Sequence, residues 1–68
     1  MNLKYLLKGL PEECTVSIVD ITPQKPKSLC SSEKKFKAKI KYDMYEVIAM
    51  EKYNINGQID YYIRVVEL

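Results

Sequence analysis

Apolar and polar positions alternate with a helical period at the start of this chain and with a strand period over most of the rest. Leu3, Leu6, Leu7 and Leu10 fall at i, i+3, i+4 and i+7, which is one face of a helix, with Lys4 and Lys8 a turn apart on its flank. Asn2 suits the N-cap, Gly9 the left-handed residue that closes a helix, and Pro11 stops continuation. Two turns are unstable alone, so the leucine face must rest on other elements. Cys14, Val16 and Ile18 alternate in a β-branched stretch that predicts strand one over about 13 to 21. The prolines and serines of "TPQKPKSLCSS" then predict a loop over 22–32.

In "EKKFKAKIKYDMYEV" the period of two becomes strict. It predicts strand two with Phe36, Ala38 and Ile40 inward and Lys35, Lys37, Lys39 and Lys41 in a ladder facing water. "YEVIAMEKY" reads as strand three and "QIDYYIRVVEL" as strand four. The "NINGQ" between them predicts a type I turn with a bulge at Gly57, setting Asn54 opposite Gln58 and Lys52 opposite Asp60. That register places Tyr53, Ala49 and Val47 inward beside Ile59, Ile63 and Val65, with Tyr61 also inward. It gathers Ile48, Met50, Tyr62, Val66 and Leu68 on the outer face. The predicted fold is α+β: a short N-terminal helix packed on a four-stranded antiparallel β-sheet in meander order, a single small domain over 1–68.

Length and charge narrow the function classes. With 68 residues, 47% of them apolar, the chain has room for one modest core. The net charge of +2 conceals an asymmetry: Lys25 to Lys41 carries seven lysines and one acid, and Asp43 to Leu68 carries five acids against Lys52 and Arg64. No apolar run approaches the roughly 18 residues of a membrane span, and the first residues lack a secretory pattern. The expectation is therefore a cytoplasmic protein with no membrane partner and reduced Cys14 and Cys30.

Chemistry is sparse. There is no histidine and no tryptophan, so the commonest general base and nitrogen ligand are missing. Cys14 and Cys30 have no third ligand nearby, and two glycines build no phosphate loop, so no cofactor, metal or catalytic residue is expected and the chain reads as no enzyme. "PQKP" has the PxxP form but reads as a plain loop. The lysine ladder has two readings, a solvated strand face that discourages edge pairing, or a row of phosphate contacts beside Tyr42, Tyr45 and Tyr62. The outer patch of Ile48, Met50 and Tyr62 implies a cover, which is another protein, a second copy in a homodimer, or the 22–32 loop.

Leu6, Leu7, Leu10, Pro11, Val16, Ile18 and Asp20 form a leucine helix, an "LP" break and a V-x-I-x-D strand. This pattern resembles that of small proteins of unknown function from bacterial phages, prophages and mobile elements. The resemblance covers about the first twenty residues. It implies a compact accessory protein that works by occupying a surface, some of its kind being anti-CRISPR or other inhibitors of bacterial defence, and it implies no catalytic residues. The sequence reading is accordingly protein–protein binding, with nucleic-acid binding through Lys35, Lys37, Lys39 and Lys41 as the alternative.

Overall fold

A computed structural model describes residues 1–68 as one helix and a four-stranded sheet, 33 × 23 × 20 Å in extent. Helix α1 (Leu3–Gly9) begins as its sequence dictates, with the Asn2 side chain accepting a 2.9 Å hydrogen bond from the Lys4 amide. Leu3 and Leu7 are fully buried. Its end differs from expectation, because Gly9 has no positive φ and the chain leaves the helix through an extended Leu10. The Leu10 amide closes the end by donating to the Leu7 carbonyl at 3.2 Å, and a side chain from elsewhere, described below, joins it there.

Strand β1 (Thr15–Asp20) buries Val16, Ile18 and Asp20 and turns Thr15, Ser17 and Val19 the other way, as its alternation requires. The Asp20 carboxylate is satisfied by the Thr22 amide at 2.8 Å, and this Asx turn starts the reversal into β2. Strand β2 (Lys27–Lys34) lies where the sequence predicts a loop. It is a ragged edge strand, antiparallel to β1, with two register shifts and a positive φ of 48° at Ser32. Only Leu29 and Cys30 are partly buried.

The predicted lysine strand is not a strand. The chain turns at Lys35 and at Phe36, whose φ is +67°, and then crosses the sheet to a 3-10 turn at Tyr42–Met44. Ile40 and Tyr42 pack on the core during this crossing. Phe36 stacks edge-on against Tyr42 at 5.2 Å, and the Tyr42 hydroxyl donates to the Ala38 carbonyl at 2.5 Å. The crossing satisfies the same apolar residues that alternate in sequence without any ladder.

Strands β3 (Tyr45–Ile55) and β4 (Gln58–Glu67) form a hairpin closed by two residues, Asn56 (φ +53°) and Gly57 (φ +84°). Positive φ at both central positions is the primed turn that Asn-Gly favours, and it pairs Ile55 with Gln58 instead of Asn54 with Gln58. Lys52 therefore faces Tyr61, and Asp60 faces Tyr53. A bulge between Val47 and Ala49 removes the one-residue offset, so Val47 still meets Val65 on the inner face as expected.

Strand order is β2-β1-β4-β3, with β4 parallel to β1. The sheet is thus mixed and is not an antiparallel meander. The reason lies in burial: Val16 and Ile18 of β1 and Tyr61, Ile63 and Val65 of β4 are the most apolar strand residues, and pairing these two strands at the centre leaves the polar β2 and β3 at the edges. Two edge strands running in the same direction then need a crossover, and Lys35–Lys41 supplies it. Helix α1 and this crossover share the inner face. The core is Leu3, Leu7, Cys14, Val16, Ile18, Tyr61, Ile63 and Val65.

Candidate binding face

The lysines of the predicted ladder divide. Lys35 is drawn inward, its side chain only 7% exposed, and its ammonium donates to the carbonyls of Leu7 (3.0 Å) and Leu10 and pairs with Glu12 at 3.3 Å. It occupies the negative end of α1, where it shares the Leu7 carbonyl with the Leu10 amide and also binds the Leu10 carbonyl. Lys37, Lys39 and Lys41 are exposed on the crossover with no common strand face. Tyr42 and Tyr45, the proposed stacking partners, are half-buried, and burial pushes both hydroxyls above their ordinary value of 10.0. The evenly spaced ladder is absent.

The three residues of the predicted outer patch also separate. Tyr62 faces outward and is half-buried. Met50 stands opposite Ile63 on the inner-face row of the edge strand and is 42% exposed. Ile48 is the residue taken up by the bulge and is half exposed. The two-residue turn accounts for Met50: it shifts that part of β3 by one position relative to the expected register, which exchanges the faces.

The same shift builds a different outer face. Tyr62 has Ser17 of β1 on one side and Glu51 of β3 on the other. Glu51 accepts a 3.0 Å hydrogen bond from the Tyr53 hydroxyl and lies 3.7 Å from the Arg64 guanidinium. The bond to this carboxylate raises the Tyr53 hydroxyl above its ordinary value, since ionisation would set two negative charges side by side. Asp60 is held from the other flank by the hydroxyls of Thr15 (2.6 Å) and Ser17 (3.1 Å), and Ser17 in turn accepts from the Ser32 amide. The face is a hydrogen-bonded array with Tyr62 at its middle and Tyr53 and Arg64 beside it. Neither α1 nor the crossover covers it.

Arg64, Tyr53 and Glu51 are the members that the sequence reading missed. The signal was the Asn56-Gly57 dipeptide itself, whose preference for a two-residue primed turn determines which side of β3 faces outward.

Elsewhere the surface offers little enclosure. A hollow of about 180 Å³ opens at the turn end of the hairpin between Glu13, Lys52 and Gln58, and a groove of about 320 Å³ runs between Asn2 and Tyr5. No three metal-ligating side chains gather, and both cysteines are free. Burial raises the Cys14 and Cys30 thiols above 9.0. No helix is long and apolar enough to cross a membrane.

No protein-family model, curated protein or solved structure matches this chain.

Proposed function

We propose that this chain is a non-enzymatic protein that binds another protein through the uncovered face of its sheet, centred on Tyr62. The observation that carries this reading is the composition of that face: two tyrosines and an arginine, positioned by Glu51 on the paired strands β3 and β4. Tyrosine and arginine are the residues on which interface energy concentrates, and a parallel central pair such as β1 and β4 is ordinarily covered on both sides. The setting we propose is that of a small accessory protein of the phage or mobile-element type, for which inhibition of a host defence system such as CRISPR is a fitting role.

The test is capture from bacterial lysate on the immobilised chain, with the double variant Tyr62→Ala, Arg64→Ala as control after its circular dichroism is shown unchanged. Proteins retained by the natural chain and lost with the variant support the reading. Retention that is identical on both columns removes it. Retention that disappears steeply with salt and with nuclease treatment would favour phosphate contacts through the exposed lysines instead.

A further inference from the structure

The two edges of the sheet are unlike. The β2 edge is broken by two register shifts and by the left-handed Ser32, and it carries Lys27 and Lys34 at its ends. Such features keep an edge from pairing with another chain. The β3 edge has a single bulge at Ile48, after which Ala49–Ile55 runs in unbroken register with β4 and has no strand on its other side. Its beginning already receives a backbone partner: Asn2 bridges to Glu46, and the Val47 amide donates to the Met1 carbonyl at 2.7 Å. Because Ile55 and Gln58 close the two-residue turn, ladder alternation directs the N–H and C=O groups of Met50, Lys52 and Asn54 away from β4. These groups present an open template about 14 Å long.

We infer that this edge takes an extended segment of a different protein as a fifth strand, one with an acidic residue opposite Lys52 and an apolar residue opposite Met50. The inference rests on the protein-binding reading above and extends it from the Tyr62 face to the adjoining edge, by main-chain pairing with alternate side chains giving specificity. Charge decides the occupant. Lys52 is exposed and faces Tyr61, with no acid beside it on β4, whereas Glu51 on the opposite face is already held by Arg64 and Tyr53. An incoming carboxylate therefore finds an unmatched ammonium. A second copy does not fit as well. The one two-fold antiparallel register that uses all of Ala49–Ile55 is centred on Lys52 and sets that charge directly against itself.

The experiment is selection of a random dodecapeptide library on the full chain and, in parallel, on Lys52→Glu and Lys52→Pro. Proline at 52 removes an outward N–H and leaves the bonds to β4 intact, so the fold is kept; circular dichroism checks this, and Lys52→Glu provides a variant with no backbone change. The natural chain is expected to return apolar-alternating peptides with Asp or Glu at one fixed position, bound about 10-fold more weakly when that position is changed to Lys. Lys52→Glu should return Lys or Arg there, and Lys52→Pro should return none of these peptides. The inference is overturned if the selected peptides lack the acid, if they bind Lys52→Pro unchanged, or if no consensus emerges. Peptides lost with Tyr62→Ala but not with Lys52→Pro overturn the edge mode and leave the protein-binding reading standing. A doubled mass that Lys52→Pro abolishes overturns the choice of a different protein as the occupant.

Discussion

Lys35 shows how far one residue can depart from its pattern. Its neighbours at 37 and 39 are exposed, and the period of two assigns all of them the same role, yet the Lys35 ammonium bonds the last carbonyls of α1 from 25 and 28 residues away in sequence. Removing it takes a charged donor from the part-buried Leu10 carbonyl and leaves Leu7 only the Leu10 amide, so Lys35→Met, which keeps the aliphatic stem, should lower stability by about 2 kcal/mol in urea unfolding. Lys37→Met and Lys39→Met should each stay within about 0.5 kcal/mol of the natural chain. Equal effects at all three positions would mean that Lys35 has no special role. The thiols and phenols give a second prediction at this scale. Cys14 and Cys30 are raised above 9.0 and Tyr42 above 10.0, in each case mainly by burial of a group that is neutral when protonated. The unfolded chain loses these protons first as pH rises, so the stability they contribute is whole below about pH 9 and is lost as pH climbs through the folded values. The urea midpoint should be flat from pH 7 to 8.5 and fall by pH 10.5, and Cys14→Val with Cys30→Val should delay the start of that fall.

At the scale of elements, local signals were legible wherever the deciding interaction lies within a few residues. The α1 start at Asn2, the alternation of β1 and the two long strands around Asn56-Gly57 all belong to this class. What misled was long-range. "KSLCSSEK" has no strand pattern of its own and is held extended by pairing with β1, and "KFKAKIK" has a strand pattern but no free partner, because β4 already lies on the far side of β1. Strand propensity yields to pairing in both cases. The outer face was misread through one turn: the three-residue loop and the two-residue loop differ by one position, and that position interchanges Met50 and Glu51. Gly57 has φ +84°, so Gly57→Val places a β-branched side chain in a left-handed turn. It should cost more than 1 kcal/mol in urea unfolding by roughly the αL penalty. Asn56→Gly, which keeps a residue tolerant of positive φ, should be within about 0.5 kcal/mol of the natural chain. If both variants behave alike, the turn is not of the primed type.

For the whole molecule, the separation of stability from binding runs along a single strand. Eight apolar residues form the entire core, and domains of this size have a net stability of only about 3–10 kcal/mol, so each of the eight is a large share of it. Ile63 is fully buried against Ile18 and Met50. Its neighbour Tyr62 points from the opposite face, between Ser17 and Glu51. Truncating Ile63 to alanine removes three buried carbons and leaves a cavity that a two-layer fold has little means of closing, a loss of about 3 kcal/mol. Truncating Tyr62 opens no cavity, because nothing covers that face, and the Arg64–Glu51 contact beside it does not depend on its ring. Ile63→Ala should therefore lower the urea midpoint sharply, with broadened amide spectra. Tyr62→Ala should unfold within about 1 kcal/mol of the natural chain and yet lose whatever the sheet face binds. If Tyr62→Ala destabilises as much as Ile63→Ala, the tyrosine belongs to the core and the face has no spare residue to offer a partner. The opposite result, adjacent residues of β4 with one needed for folding and the other for binding alone, is what a sheet with one covered face and one open face requires.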